Sequence, residues 1–245
     1  MPDLTIAVVY PELLGLYSDR GNAIALRHRA AASGITASVL DVAPGDALPE
    51  SADVYLLGGA EDASMVMALD LLRGQRALAR AADGGAVVLG VCAGFQILGR
   101  SFTAPDGRQL EGLGLLDVTS HRLSHRAVGE VLAHSPLLGE LQGFENHQGD
   151  ARLGPDASSL ATVTRGVGNG QDGHEGAAQG RVLGTYLHGP VLARNPALAD
   201  HLLELSTGRQ LAPAPDEVIE ELRSERRAAL LRRPSIRGLL RLRRR

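Results

Sequence analysis

A chain of 245 residues, 44 % hydrophobic and 22 % charged, carries enough apolar material for one large or two small packed domains, which excludes a disordered chain. Its single cysteine, Cys92, excludes an intrachain disulfide framework and a cysteine-based zinc cluster. All 25 basic residues are Arg, so a lysine Schiff base and the G-x-x-x-x-G-K-[ST] phosphate loop are excluded as well. The formal net charge of −3 is uneven: Leu222–Arg245 carries ten Arg and one Glu, so an acidic body ends in a basic tail.

In chain order, Thr5–Tyr10 (TIAVVY) is β-branched and apolar, as a buried parallel strand should be. Asp19-Arg20-Gly21-Asn22 leads into a helix over Ala23–Ala32, ended by Gly34. Strands are expected at Ala37–Leu40 and Val54–Leu57, the second stopping at Gly58-Gly59. A helix over Met65–Asp83, a strand over Ala86–Val91 and a helical stretch from Ala93 to Gly99 follow. This alternation predicts an α/β fold: a doubly wound, mostly parallel sheet flanked by helices.

The second half is less regular. Leu115–Ser120, Val128–Val131 and Ala161–Thr164 read as strands, and glycine-rich Val167–Gly180 as a surface loop. Arg181–Leu187 returns as a strand and delivers His188 at its end. Asn195–Leu205 is the last helix of a body spanning 1–212; Pro213 and Pro215 precede a separate amphipathic helix, Asp216–Leu231, in an Arg-rich tail spanning 213–245. No apolar run approaches the roughly 20 residues that span a bilayer. The opening MPDLTIAVVYPELL has no basic segment and carries Asp3, so the expected location is cytoplasmic.

Gly90-Val91-Cys92-Ala93-Gly94 has the spacing G-x-C-x-G, a thiol version of the nucleophile elbow. A strand turning sharply into a helix puts the nucleophile on the strained tip, while flanking glycines let the chains pass closely. The helix N-terminus favours thiolate and offers backbone N–H groups to an oxyanion. A buried structural cysteine is the competing reading. Of eight histidines, His188 follows a strand that should end at the same sheet edge as Cys92, with His147 as runner-up. His28 and His201 fall on predicted helices, at the surface.

Gly90–Gly99 (GVCAGFQILG) and Gly184–Gly189 (GTYLHG) together resemble the class I glutamine amidotransferases, in the cobyric acid synthase-like branch. Gly58-Gly59 is similar to that family's oxyanion loop. Tyr10–Leu26 (YPELLGLYSDRGNAIAL), Gly143–Gly149 (GFENHQG) and Gly166–Gly176 (GVGNGQDGHEG) narrow the resemblance to the small GatD-type glutaminase subunits, over roughly residues 4–205.

The resemblance implies that Cys92 attacks the side-chain amide of L-glutamine and that His188 serves as base and then acid. Backbone N–H groups of Gly59 and Ala93 would hold the oxyanion. Arg126 would bind the substrate, with Arg122 as competitor, and a guanidinium suits a carboxylate because the pair can be bidentate. Gln96 either lines the pocket or is a packed helix residue. Many class I members carry a Glu two residues after the histidine; here that position is Pro190. Either the enzyme uses a dyad or a carboxylate comes from elsewhere, and for GatD-type chains the resemblance implies an Asp from the partner.

That partner would be a Mur-ligase-like (MurT-like) synthetase forming a heterodimer, holding the ATP and Mg, and amidating the D-glutamate α-carboxylate of lipid II. No cofactor or metal is expected on this chain, and its length leaves no room for the synthetase domain of full cobyric acid synthases. The basic tail suggests weak contact with anionic lipid at the inner membrane face, against a merely solvated tail; the acidic body argues against nucleic acid. Two alternatives stand beside this reading: a glutaminase for another acceptor such as a cobyrinate-like carboxylate, and a non-catalytic thiol regulator or binding module.

Overall fold

The computed structural model describes residues 2–104, 106–170, 172–212 and 214–232, and divides into two compact units, Met1–Ala212 and Pro213–Arg245. The first unit opens with β1 (Leu4–Val9), α1 (Gly21–Ala32), β2 (Ala37–Val42) and β3 (Val54–Leu57). Two helices, α2 (Asp62–Gln75) and α3 (Ala77–Asp83), precede β4 (Val87–Val91) and α4 (Ala93–Leu98). Short strands β5 (Ser101–Thr103) and β6 (Gln109–Glu111) lead to the long pair β7 (Val118–Ser135) and β8 (Gly139–Leu153). Next come β9 (Ala161–Arg165), β10 (His174–Glu175), β11 (Ala177–Gln179) and β12 (Val182–Thr185), then α5 (Val191–Arg194) and α6 (Pro196–Thr207). The second unit contributes α7 (Glu217–Arg232).

One six-stranded sheet runs β11-β12-β4-β3-β1-β2, parallel throughout except for β11, which pairs antiparallel with β12. Its centre is apolar on both faces: every residue of β3 and β4 is buried, because helices and strands cover both sides and leave no place for a polar alternation. The edge strand β2 is mostly half-buried or exposed. A second sheet, β10-β9-β7-β5-β6 with β8 paired to β7, is largely antiparallel. Phe144 of β8 forms an isolated bridge with His188, just beyond β12, so the second sheet reaches the edge at which the parallel strands end. Leu, Val and Ala dominate the core as composition requires, yet Tyr10, Tyr55, Tyr186, Phe95 and Phe102 are also fully buried.

Several elements depart from the sequence reading. The single helix expected over Met65–Asp83 is two helices, broken at Arg76, whose φ of 52° is left-handed. Gln75 explains the break: its amide donates to the Tyr10 hydroxyl (3.0 Å) and the Asp46 carbonyl (2.9 Å) and accepts the Leu48 N–H (2.9 Å), pinning the end of α2 while the chain redirects. The strands expected at Leu115–Ser120 and Val128–Val131 belong to one strand, β7, with a register shift between Arg122 and Ala127. Its partner β8 has no counterpart in the sequence reading, since GELQGFENHQGDARL has few apolar residues.

The glycine-rich segment Val167–Gly180 is not simply a surface loop: it contains β10 and β11, and Asn169 and Glu175 within it are completely buried. Asn169 supplies the reason. Its side chain donates to the Gly176 carbonyl (2.9 Å) and accepts the Gly176 N–H (2.7 Å), closing the segment on itself. Among the described residues, no helix is long and apolar enough to cross a membrane. In the basic tail, Arg233, Leu239, Leu240, Leu242 and Arg243–Arg245 lie outside the described residues.

Candidate active site

Cys92 sits between β4 and α4 with φ 52° and ψ −101°, a strained conformation for a residue with a Cβ, costing roughly 1–3 kcal/mol. The surroundings over-determine it. The Cys92 N–H bonds the Thr185 carbonyl at 2.8 Å, and the Gly94 N–H bonds the Gly58 carbonyl at 3.1 Å. A Cβ at Gly94 would lie 2.5 Å from the Leu57 carbonyl oxygen, and one at Gly90 would lie 2.6 Å from the Gly94 carbonyl carbon. Both elbow glycines are therefore required by close backbone approach.

His188 arrives from β12 and is fixed by two backbone bonds to Phe144, of 2.8 and 3.1 Å. It is 1 % exposed. A Cβ built at Gly59 would stand 2.7 Å from His188 Cε1 and 3.6 Å from Cys92 Cβ, so elbow, histidine and glycine loop converge on one point. His188 Nδ1 lies 3.2 Å from Asp19 Oδ2, and the same oxygen accepts the Gly59 N–H at 2.7 Å. The Tyr17 ring meets the imidazole edge-on, with centroids 4.8 Å apart. Burial alone would discourage the imidazolium. Asp19 and the Cys92 thiol outweigh it and push the pKa of His188 up to about 10. Nε2 makes no hydrogen bond in this structure: the thiol is close enough to favour the proton but falls short of hydrogen-bond geometry.

The expected oxyanion donors differ. Among the described residues the Ala93 N–H has no hydrogen-bond partner, whereas the Gly59 N–H is taken by Asp19. Half-buried Gln96 adjoins the Tyr186 hydroxyl: a Cβ at Gly149 would lie 2.6 Å from Gln96 Nε2 and 2.1 Å from that hydroxyl. Arg126 is exposed in the irregular stretch of β7 opposite His147–Gly149 and, among the described residues, makes no hydrogen bond or ion pair. Arg122 instead donates to Gln148 at 2.8 Å. His147, the runner-up base, is buried and stacked on Tyr186 (3.8 Å, 8°), its Nδ1 3.1 Å from the Gly149 carbonyl.

Two buried carboxylates escaped the sequence reading as site residues. Asp19 lies inside YPELLGLYSDRGNAIAL, so a motif marked the segment without singling out the residue. Glu175, inside GVGNGQDGHEG, accepts the Thr185 hydroxyl (2.5 Å) and the Tyr186 N–H (3.0 Å), and burial pushes its pKa up to about 7. It thereby ties down the strand end that carries His188. Pro190 stands two residues after His188, and the carboxylate beside the imidazole is that of Asp19, 169 residues away in the chain. A Cβ at Gly21 would lie 2.4 Å from Pro190 Cγ, and the Asn22 side chain accepts the Leu192 N–H at 2.9 Å. The proline thus packs against the very turn that presents Asp19.

Comparison with known proteins agrees with this architecture. The family model of the CobB/CobQ-like glutamine amidotransferase domain matches residues 5–196. The chain is 36 % identical to lipid II isoglutaminyl synthase (glutamine-hydrolyzing) subunit GatD of Staphylococcus aureus over 95 % of this chain and 97 % of that protein. It is 34 % identical to the Streptococcus pneumoniae subunit of the same name, over 82 % and 79 % of the two chains. In fold it resembles a crystallised glutamine amidotransferase, with TM-score 0.57 at 20 % identity over 82 % of this chain and 98 % of that one. The chain belongs to the CobB/CobQ-like glutamine amidotransferase family, among the GatD-type subunits.

Proposed function

We propose that this enzyme is the glutaminase subunit of a two-chain synthase. It would hydrolyse L-glutamine through a Cys92 thioester and deliver ammonia to a Mur-ligase-like (MurT-like) partner. The observation that carries this reading is the convergence of Cys92, His188 and the Gly59 loop at the end of the parallel strands, where α/β sheets place their sites. The Cys92 thiolate attacks the side-chain amide carbon, and the Ala93 N–H receives the developing oxyanion. The tetrahedral intermediate expels ammonia with a proton from His188, leaving a glutamyl thioester. Water, deprotonated by His188, then attacks the thioester carbonyl, releasing glutamate and restoring the thiol. Arg126, with no partner of its own among the described residues, would take the substrate carboxylate, and Gln96 would line the pocket.

The relatives are named as subunits of a lipid II isoglutaminyl synthase, which supports ammonia being consumed in forming isoglutamine on lipid II, at the D-glutamate α-carboxylate in this reading; ATP and Mg would be bound by the partner. Glutamate release from L-glutamine by the full chain, with and without the synthetase subunit, tests this reading. Strong hydrolysis that Cys92→Ala lowers by about 1,000-fold or more is expected. No hydrolysis by either sample, with both chains folded and associated, would refute it.

A further inference from the structure

We propose that Tyr17 gates access to Cys92 and His188: its ring closes the way in, its hydroxyl is latched to Asn146, and substrate reaches the thiol when that latch opens. The proposal rests on the glutaminase reading only for the identity of the substrate; access to the thiol is measured without it.

Cys92 is 8 % exposed and His188 is 1 % exposed, so the pair as it stands is closed to a substrate that must reach both. Tyr17 is the residue between them and solvent. It is 40 % exposed, yet its ring meets the imidazole edge-on with centroids 4.8 Å apart, so one side faces water and the other His188. The same ring meets Phe144 edge-on at 5.9 Å, and its hydroxyl accepts from the Asn146 amide. Both partners lie on β8, so the ring reaches from the turn before α1 to the second sheet. Asn146 Oδ1 makes no hydrogen bond, which leaves the latch a single neutral one. A bond of that kind, with edge-on ring contacts, is weak enough to open during turnover.

The backbone beneath the ring is built to move at one place. Tyr17 and Ser18 have φ of 55° and 61°, the left-handed region that residues with a Cβ seldom occupy. Such strain persists only where neighbours over-determine it, so the closed position is held by the contacts at the ring. The residues on either side are fastened to the same glycine. The Leu16 N–H bonds the Gly59 carbonyl at 3.0 Å, and the Gly59 N–H bonds Asp19 Oδ2 at 2.7 Å. Movement is thereby confined to the two strained residues between these anchors, while the glycine loop stays in place. Gating of this kind admits the amide side chain first and the water that ends the cycle later.

The test uses the one thiol of the full chain. Iodoacetamide and a bulky fluorescein-bearing iodoacetamide alkylate Cys92 by the same chemistry and differ in size, so together they read the width of the entrance. Tyr17→Phe removes the latch and keeps the ring; Tyr17→Ala removes both. The bulky reagent should label Tyr17→Phe about 5-fold faster than wild type, the worth of one neutral hydrogen bond, and Tyr17→Ala faster still. The small reagent should gain less, and the pH midpoint of labelling should be unchanged in Tyr17→Phe. With the synthetase subunit present, the KM of Tyr17→Phe for glutamine should fall about 5-fold and kcat stay within about twofold, because the open fraction rises.

Wild-type labelling rates in both variants overturn the proposal. So does an equal gain for both reagents with a shifted pH midpoint, since that marks an altered thiol and not a wider entrance. Lowered thermal stability with wild-type labelling of the folded fraction overturns it as well, as a structural role only. Faster bulky labelling in a chain that never hydrolyses glutamine would refute the glutaminase reading and leave the gate standing. Should Tyr17→Ala not fold, Tyr17→Phe decides alone.

Discussion

The residues around Cys92 divide by what burial does to them. Asp19 is buried yet bonded to two donors, whereas Glu175 is buried with one oxygen, Oε2, unpartnered. Burial raises the folded-state pKa of Glu175 from 4.5 to about 7. The folded chain therefore holds a proton that the unfolded chain releases, and the stability contributed is full below about pH 4.5 and lost as pH rises through about 7. Glu175→Gln removes that titration. In urea unfolding it should equal the wild type near pH 4.5 and exceed it at pH 8 by on the order of 1–3 kcal/mol. Parallel stability curves for the two proteins would show that Glu175 is not protonated in the fold.

At the scale of elements, the glycines of α2 and of the elbow make opposite demands. Gly74 lies inside α2, and a Cβ added there would meet nothing within 4 Å, so nothing requires glycine at that position. Gly74→Ala should stabilise by about 0.5–1 kcal/mol, through helix propensity and a less free unfolded chain, and raise Tm by a few degrees. Gly94→Ala should instead destabilise by about 1–3 kcal/mol, because the new Cβ meets the backbone of β3 at Leu57. Since β3 leads directly into Gly58-Gly59, the shift should reduce glutamine turnover as well. Calorimetry on the two variants checks the contrast, and equal effects would contradict it.

For the molecule as a whole, charge is the distinctive feature. The region from Leu222 to Arg245 is formally +9, against −12 for the remaining chain. The candidate site residues lie outside it: Cys92, His188, Asp19 and Arg126 all belong to Met1–Ala212. If the tail gives weak attraction to a membrane carrying the lipid-linked substrate, full-length chain should co-sediment with anionic vesicles at low salt and be released as salt is raised. Deleting Leu222–Arg245 should abolish the sedimentation. Unchanged sedimentation after the deletion would end the membrane role.

What the sequence determined by itself was local or periodic. Continuous apolar runs marked β1, β3 and β4, because a strand buried on both faces has no polar side to disguise it. The G-x-C-x-G spacing marked the elbow, because its sterics act within five residues, and the spaced motifs marked the family. The tertiary structure alone decided whatever depends on distant groups. β8 pairs along most of β7, which no local alternation of GELQGFENHQGDARL announces. The helix breaks at Arg76 because Gln75 is held by the segment after β2. Asp19 meets His188 across 169 residues because Pro190 and Leu192 dock on the start of α1. A carboxylate in a turn looks the same in sequence whether it faces water or an imidazole. Its environment, and so its chemistry, is set only when the chain closes around it.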